Sequence, residues 1–173
     1  MPAREVIDRA MSQVGLGTVY RMGGGAHDPS APDCRGEDGS CDCSALVAWV
    51  MGYRKYQPGL SHLGTEWLNT DGIVLDSDSD VGIYSRLALA VPGCVVVYPK
   101  ASVARSIGLV GRGPSVGHVG VVTDARGGKA TRVVHCSSGN YRATKDAVRE
   151  TDAAVFERVA YSRYAWCAMV AKE

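Results

Sequence analysis

The stretch Asp42-Cys43-Ser44-Ala45-Leu46-Val47 lies where a Gly- and Asp-rich loop gives way to an apolar run ending at Met51. A run that is apolar on every side reads as a buried helix, here from about Cys43 to Tyr53. A thiol at a helix N-terminus meets unpaired backbone N–H groups and the positive end of the helix dipole. Both favour the thiolate, which is the nucleophilic form of cysteine. The expectation at Cys43 is therefore an activated sulfur, whose chemistry depends on what else reaches it.

Upstream, residues 2–14 read as an amphipathic helix. Pro2 suits the first turn, and Ala3, Val6, Ile7, Ala10, Met11 and Val14 follow the 3.6-residue period until Gly15 and Gly17 end it. Residues 18–42 form a long loop containing Met22-Gly23-Gly24-Gly25. Downstream, short helices are expected around Gly64–Asn69 and Val81–Leu89, the second capped by Asp80. The pattern then changes to strands at Val95–Tyr98, Val119–Val122, Arg132–His135 and Trp166–Val170, with Val155–Val159 a fifth. Residues 100–116 read as a long loop, a length that in compact domains usually serves function. Helices first and strands later predict one α+β domain over 1–173, with the Cys43 helix packed on a mostly antiparallel sheet of about five strands.

At 173 residues, 46% hydrophobic and 21% charged, the chain has the composition of an ordinary globular protein. Nineteen basic against eighteen acidic residues leave no field for nucleic acid or an anionic membrane. No apolar run approaches the roughly 18–20 residues that span a bilayer. The segment Met1–Asp8 has no apolar h-region, so no signal peptide is recognisable. Six cysteines are many for a cytosolic domain, yet an even count does not establish disulfides. Cys34 and Cys41 share one loop and could close a small ring, while Cys94, Cys136 and Cys167 sit in apolar, strand-like contexts that suit inert buried thiols.

Four histidines are available as partners for Cys43. His118 begins a strand in Gly117-His118-Val119-Gly120, where the glycines leave access to the ring. His135 ends the next strand. If the two strands form a hairpin, His135 lies beside His118 and can hold its far ring nitrogen. That is the logic of a triad: nucleophile, base, and a group that orients the base. The bland alternative for each is a half-buried core histidine. His27 reads as a solvated loop residue and His62 as a surface residue near a helix start.

Other chemistry is less well supported. Cys34, Cys41, Cys43 and His27 include zinc-ligand types, but the spacing lacks a Cys-x2-Cys knuckle, so no metal is expected. The glycines at 23–25 are followed by no Gly-Lys-Ser/Thr, which argues against a phosphate loop. Asp76–Asp80 resembles a calcium loop only in charge and reads as a solvated turn.

At this point the chain resembles the NlpC-type cell-wall peptidases, papain-like cysteine hydrolases. Asp42-Cys43-Ser44-Ala45-Leu46-Val47 is similar to their Asp-Cys-Ser-Gly-Leu-Val motif, with Ala45 in place of the glycine. Tyr20-Arg21-Met22-Gly23-Gly24 resembles Tyr-x-x-Gly-Gly. Val91-Pro92-Gly93-Cys94-Val95 resembles Leu-Pro-Gly-Asp-Leu, with Cys94 replacing the aspartate. Gly117-His118-Val119-Gly120-Val121 resembles Gly-His-Val-Gly-Ile, and Val134-His135-Cys136 the strand with the third polar residue. These fragments run in the family's order over residues 3–136.

The resemblance implies a papain-like fold and hydrolysis of amide bonds in peptidoglycan stem peptides, commonly the D-γ-glutamyl–diamino acid bond. It implies Cys43 as nucleophile, His118 as base and acid, and His135 as orienting group. Tyr20, Asp42 and Ser44 would shape the substrate site and oxyanion region, with no cofactor. It implies a monomer acting in the periplasm or cell wall, with peptidoglycan as its partner and no membrane insertion. Alternatives are a secreted antibacterial effector amidase with an immunity partner, a phage lysin in a lysis system, or an inert phage or wall assembly module.

Overall fold

The computed structural model describes every residue except 27, 59–65, 80–81, 110, 112 and 172–173. Helix α1 (Ala3–Ser12) begins behind Pro2 and buries Val6 and Ala10, which share one face a turn apart. Helix α2 (Cys43–Met51) is buried at every position, as its uninterrupted apolar sequence requires. Its ends are fixed chemically. The Asp42 side chain accepts the Ala45 N–H at the start, and Gly52 closes the end in the left-handed conformation.

Two short strands, β1 (Val19–Tyr20) and β2 (Ser40–Cys41), pair in parallel and hold the loop between them against the first turn of α2. Contact there is close: a Cβ on Gly25, at φ +120°, would lie 2.3 Å from the Ala45 Cβ. Only glycine fits where the loop crosses the helix.

The main sheet has six strands in the order β3 (Tyr84–Leu87), β8 (Arg163–Cys167), β4 (Val95–Tyr98), β5 (His118–Arg126), β6 (Lys129–Cys136) and β7 (Val148–Asp152). Every pairing is antiparallel. β5 and β6 form the expected hairpin through Gly127-Gly128, and α2 packs on both. Among the described residues the remaining helices are α3 (Thr70–Ser77), α4 (Ala101–Ser106), α5 (Ser138–Thr144) and α6 (Ala154–Glu157). The molecule is thus α+β, with six strands in its main sheet rather than about five.

Several local expectations are corrected. The segment read as a helix over Val81–Leu89 contains strand β3, because Tyr84–Leu87 pairs with β8 and the Tyr84 N–H is taken by Asp76 Oδ2 at 2.6 Å. Asp80, read as its cap, lies outside the described residues. Of the helix expected around Gly64–Asn69, residues 64–65 lie outside the described residues and 66–69 are not helical; α3 starts at Thr70, where Asn69 accepts the Gly72 N–H as N-cap. Val155–Val159, read as a strand, holds helix α6, with the Ala154 N–H bound to Asp152. The strand lies just before it, in the charged β7. The last strand ends at Cys167, after which the Trp166 indole N–H donates to the Val170 carbonyl and folds the chain back.

Residues 100–116 are not all loop, since α4 occupies Ala101–Ser106. The acidic run at Asp76–Asp80 is only in part a solvated turn, and Asp80 lies outside the described residues. Asp76 and Ser77 are buried in α3, and Asp78 pairs with Arg163 at 2.6 Å.

Candidate active site

Cys43 is the first residue of α2 and is 7% exposed. The backbone N–H groups of Val119, the residue after His118, and of Ser44 act on its sulfur and favour the thiolate. The thiol therefore abuts the start of β5. Its own backbone N–H is a first-turn donor that the helix does not use.

The loop before Cys43 is held by a buried carboxylate. Asp42 Oδ1 accepts from Ala45 N–H (2.7 Å) and Ser44 Oγ (2.9 Å), and Oδ2 from Gly23 N–H (2.9 Å). Lys55 Nζ reaches both oxygens, at 3.1 and 2.8 Å, with both side chains 8% exposed. Burial disfavours the Asp42 charge, but Lys55 and these N–H donors overcome it and hold the carboxyl below its usual range. The Tyr-x-x-Gly-Gly segment and the nucleophile are thus joined through one side chain.

The expected thiolate is not the resting form. Burial, followed by the negative charge on Asp42, pushes the Cys43 thiol up to about 12. The Val119 and Ser44 N–H groups and Lys55 oppose that shift without cancelling it. Desolvation acts on the whole charge, whereas a helix terminus supplies only about half a charge.

His118 and His135 meet as the hairpin predicts. His118 Nε2 lies 2.7 Å from His135 Nδ1, with the rings nearly perpendicular. Gly120, opposite His135, makes this possible: a Cβ there would stand 2.5 Å from Val133 Cγ1 and 3.0 Å from His135 Cβ. Phe156 stacks on the His118 ring (5.1 Å between centroids, 11° between planes), and Tyr98 tilts against it. Both imidazoles are buried and therefore neutral. Burial, then the neighbouring His135, lowers His118 to about 3, and burial lowers His135 to about 4 against an opposing pull from Asp152. With Nε2 engaged, His118 keeps Nδ1 as its remaining nitrogen. His135 Nε2 lies 3.0 Å from Thr151 Oγ1 on β7.

A cleft of about 460 Å³ opens over Cys43. Tyr20, Asp42 and Ser44 all line it, as do Lys55, Trp67 and Gly117. The Tyr20 hydroxyl is pushed up to about 12 by burial and by nearby Cys43 and Asp42. Four of the six residues singled out in the sequence, Tyr20, Asp42, Cys43 and Ser44, thus line one cleft, while His118 and His135 pair on the β5–β6 hairpin against which α2 packs.

Sequence reading missed Thr151, Phe156, Lys55 and Trp67. Thr151 sits on the unrecognised β7 and Phe156 on a helix read as strand. Trp67, 44% exposed, had no sequence signal beyond being a large aromatic. His27 and His62 lie outside the described residues. All six cysteines are free and buried. Cys34 and Cys41 are thiols, not a bridge; Cys41 Sγ donates to the Asp42 carbonyl and Cys136 Sγ to the Cys41 carbonyl, each at 3.3 Å. Among the described residues no group of three or more His, Cys, Asp or Glu side chains is arranged to hold a metal.

No family model and no curated protein matches the sequence. Among solved structures, the chain is similar to the crystal structure of Ly7917 with the hydrolyzing product of MDP (15% identity, TM-score 0.49) and to that of Ly7917 (16%, 0.48). Each match covers 97% of this chain and 63% of the other, so this chain spans less than two thirds of Ly7917. A likeness of that size carries no argument about activity, which rests here on the site's own residues.

Proposed function

We propose that the chain is a papain-like cysteine peptidase, one domain over residues 1–173, that hydrolyses amide bonds in peptidoglycan stem peptides. The D-γ-glutamyl–diamino acid bond is the favoured target. The observation that carries this reading is Cys43 at the N-terminus of α2, lining a cleft and facing the backbone N–H of the residue beside a buried, paired histidine.

The chemistry follows from a neutral thiol and a neutral imidazole. As the sulfur lone pair forms the C–S bond to the scissile carbonyl carbon, the S–H proton passes to His118 Nδ1. The carbonyl π pair moves to oxygen, where the Cys43 N–H can donate to it. The imidazolium then gives its proton to the leaving amine as the C–N bond breaks, leaving a thioester. Water attacks that thioester as His118 takes its proton, the C–S bond breaks to release the carboxylic acid, and the imidazolium returns the proton to sulfur, regenerating the thiol. His135 orients the ring, while Tyr20, Asp42 and Ser44 shape the cleft. The choice of wall peptides is supported by the ordered motifs that surround the three residues.

Purified sacculi digested with the wild type and with Cys43→Ala, followed by mass spectrometry of released fragments, test the proposal. Muropeptides cut at a stem-peptide amide by the wild type alone are expected. Equal release by both proteins would sink it, and release by neither would leave an inert module of the same architecture.

A further inference from the structure

We propose that Thr151 is a positioning residue that sets the tautomers of both site histidines through its hydroxyl. The role of those tautomers in turnover rests on the hydrolase reading above, whereas the tautomers themselves do not.

Proton counting carries the inference. Thr151 Oγ1 has one hydrogen, and it is given to the Asp152 carbonyl at 2.8 Å, an oxygen that can only accept. Toward His135 Nε2, at 3.0 Å, the hydroxyl must therefore accept, so Nε2 carries the proton. A neutral His135 then has a bare Nδ1. The 2.7 Å contact with His118 requires one hydrogen between the nitrogens, so His118 Nε2 supplies it. The proton of neutral His118 is thereby fixed on Nε2, and Nδ1 is left as a lone pair able to take a proton from a thiol. A backbone carbonyl on β7 thus dictates, through three side chains, which nitrogen of His118 is basic.

Without the hydroxyl, nothing holds the proton on His135 Nε2. It can move to Nδ1 and donate to His118 Nε2, which sends the His118 proton to Nδ1 and removes the base. Valine matches threonine in shape and suits a strand, so Thr151→Val changes the hydrogen bonding with little change in packing. Serine keeps the hydroxyl.

The test is long-range ¹H–¹⁵N correlation of the histidine side chains near pH 7, on wild type, Thr151→Val and Thr151→Ser, with kcat and KM on a stem-peptide substrate. In the wild type both His118 and His135 are expected as Nε2–H tautomers. Thr151→Val is expected to shift both toward Nδ1–H and to lower kcat by about 10²-fold, at the low end of what a positioned acid–base group supplies, with KM unchanged. Thr151→Ser restores spectra and rate. Either histidine protonated on Nδ1 in the wild type overturns the proposal, whether or not the variant folds. So do unchanged spectra in Thr151→Val, or a Thr151→Ser protein that behaves like it. If no protein cleaves wall peptides, the hydrolase reading falls while the wild-type and variant spectra still judge the tautomers.

Discussion

Cys43 and His118 are each more neutral than their free side chains, and that sets how the pair must work. A resting thiolate–imidazolium pair would need the histidine to be the stronger base toward a proton in its own surroundings. Burial removes that advantage by lowering His118 to about 3 while the thiol is pushed up to about 12. Transfer of the proton then accompanies attack rather than preceding it. The acid limb of kcat/KM, which reports the free enzyme's base, is expected well below the ordinary imidazole value, near pH 3–4, with a flat profile up to about pH 8. A limb near pH 6.5 would show that His118 is solvated in the free enzyme and overturn this picture of the pair. Cys43 itself was legible in the sequence because a thiol at a loop-to-helix boundary is a local signal. Its protonation state was not, since that depends on burial by distant segments and on a carboxylate next door.

At the scale of elements, the start of α2 is fixed by one ion pair. Asp42 caps the helix, ties Gly23 to it and leans on Lys55, a residue beyond the far end of the same helix. Removing one partner of a buried pair leaves an uncompensated charge. Lys55→Met should therefore destabilise the fold by about 3–5 kcal/mol, which for a chain of this size lowers Tm by roughly 6–20 °C in a calorimetric scan. Adding Asp42→Asn should restore part of that loss, and a drop under about 1 kcal/mol in the single variant would mean that water already serves Asp42.

The same scale shows why some elements were readable and others not. Helices α1 and α2 and strands β4, β5 and β6 carry strong apolar periodicity, and all lie where expected. β7 reads Val-Arg-Glu-Thr-Asp and pairs through its backbone with charged side chains outward, so no pattern announces it. Thr151 was hidden with it. Val155-Phe156 resembles a strand by composition alone, and its helical state comes from a local N–H contact with Asp152 and from Phe156 packing on the histidines.

For the whole molecule, the two buried histidines couple stability to pH. An exposed imidazole titrates at 6.5, whereas His135 and His118 in the native state do so at about 4 and 3. Between those values the unfolded chain binds protons that the folded chain refuses. Stability is therefore undiminished by this effect above pH 6.5 and falls as pH drops toward 4, by up to about 1.4 kcal/mol per pH unit for each histidine. Asp42, whose carboxyl is held low, contributes in the same sense only below its ordinary value of 3.8, so the two windows separate. Denaturant melts from pH 7 to 4 on wild type and His135→Asn check this. A shallower slope is expected in the variant, and parallel slopes would mean that His135 is free to protonate in the folded state.

The burial of all six thiols has a consequence for how the protein meets its surroundings. Although cysteine-rich by sequence, it presents almost no thiol at its surface, so neighbouring chains find none there to cross-link. The cleft, which Cys43 lines, is the route by which a small electrophile reaches a thiol. A covalent inhibitor shaped to that cleft would select one cysteine of six by access alone, with no help from intrinsic reactivity.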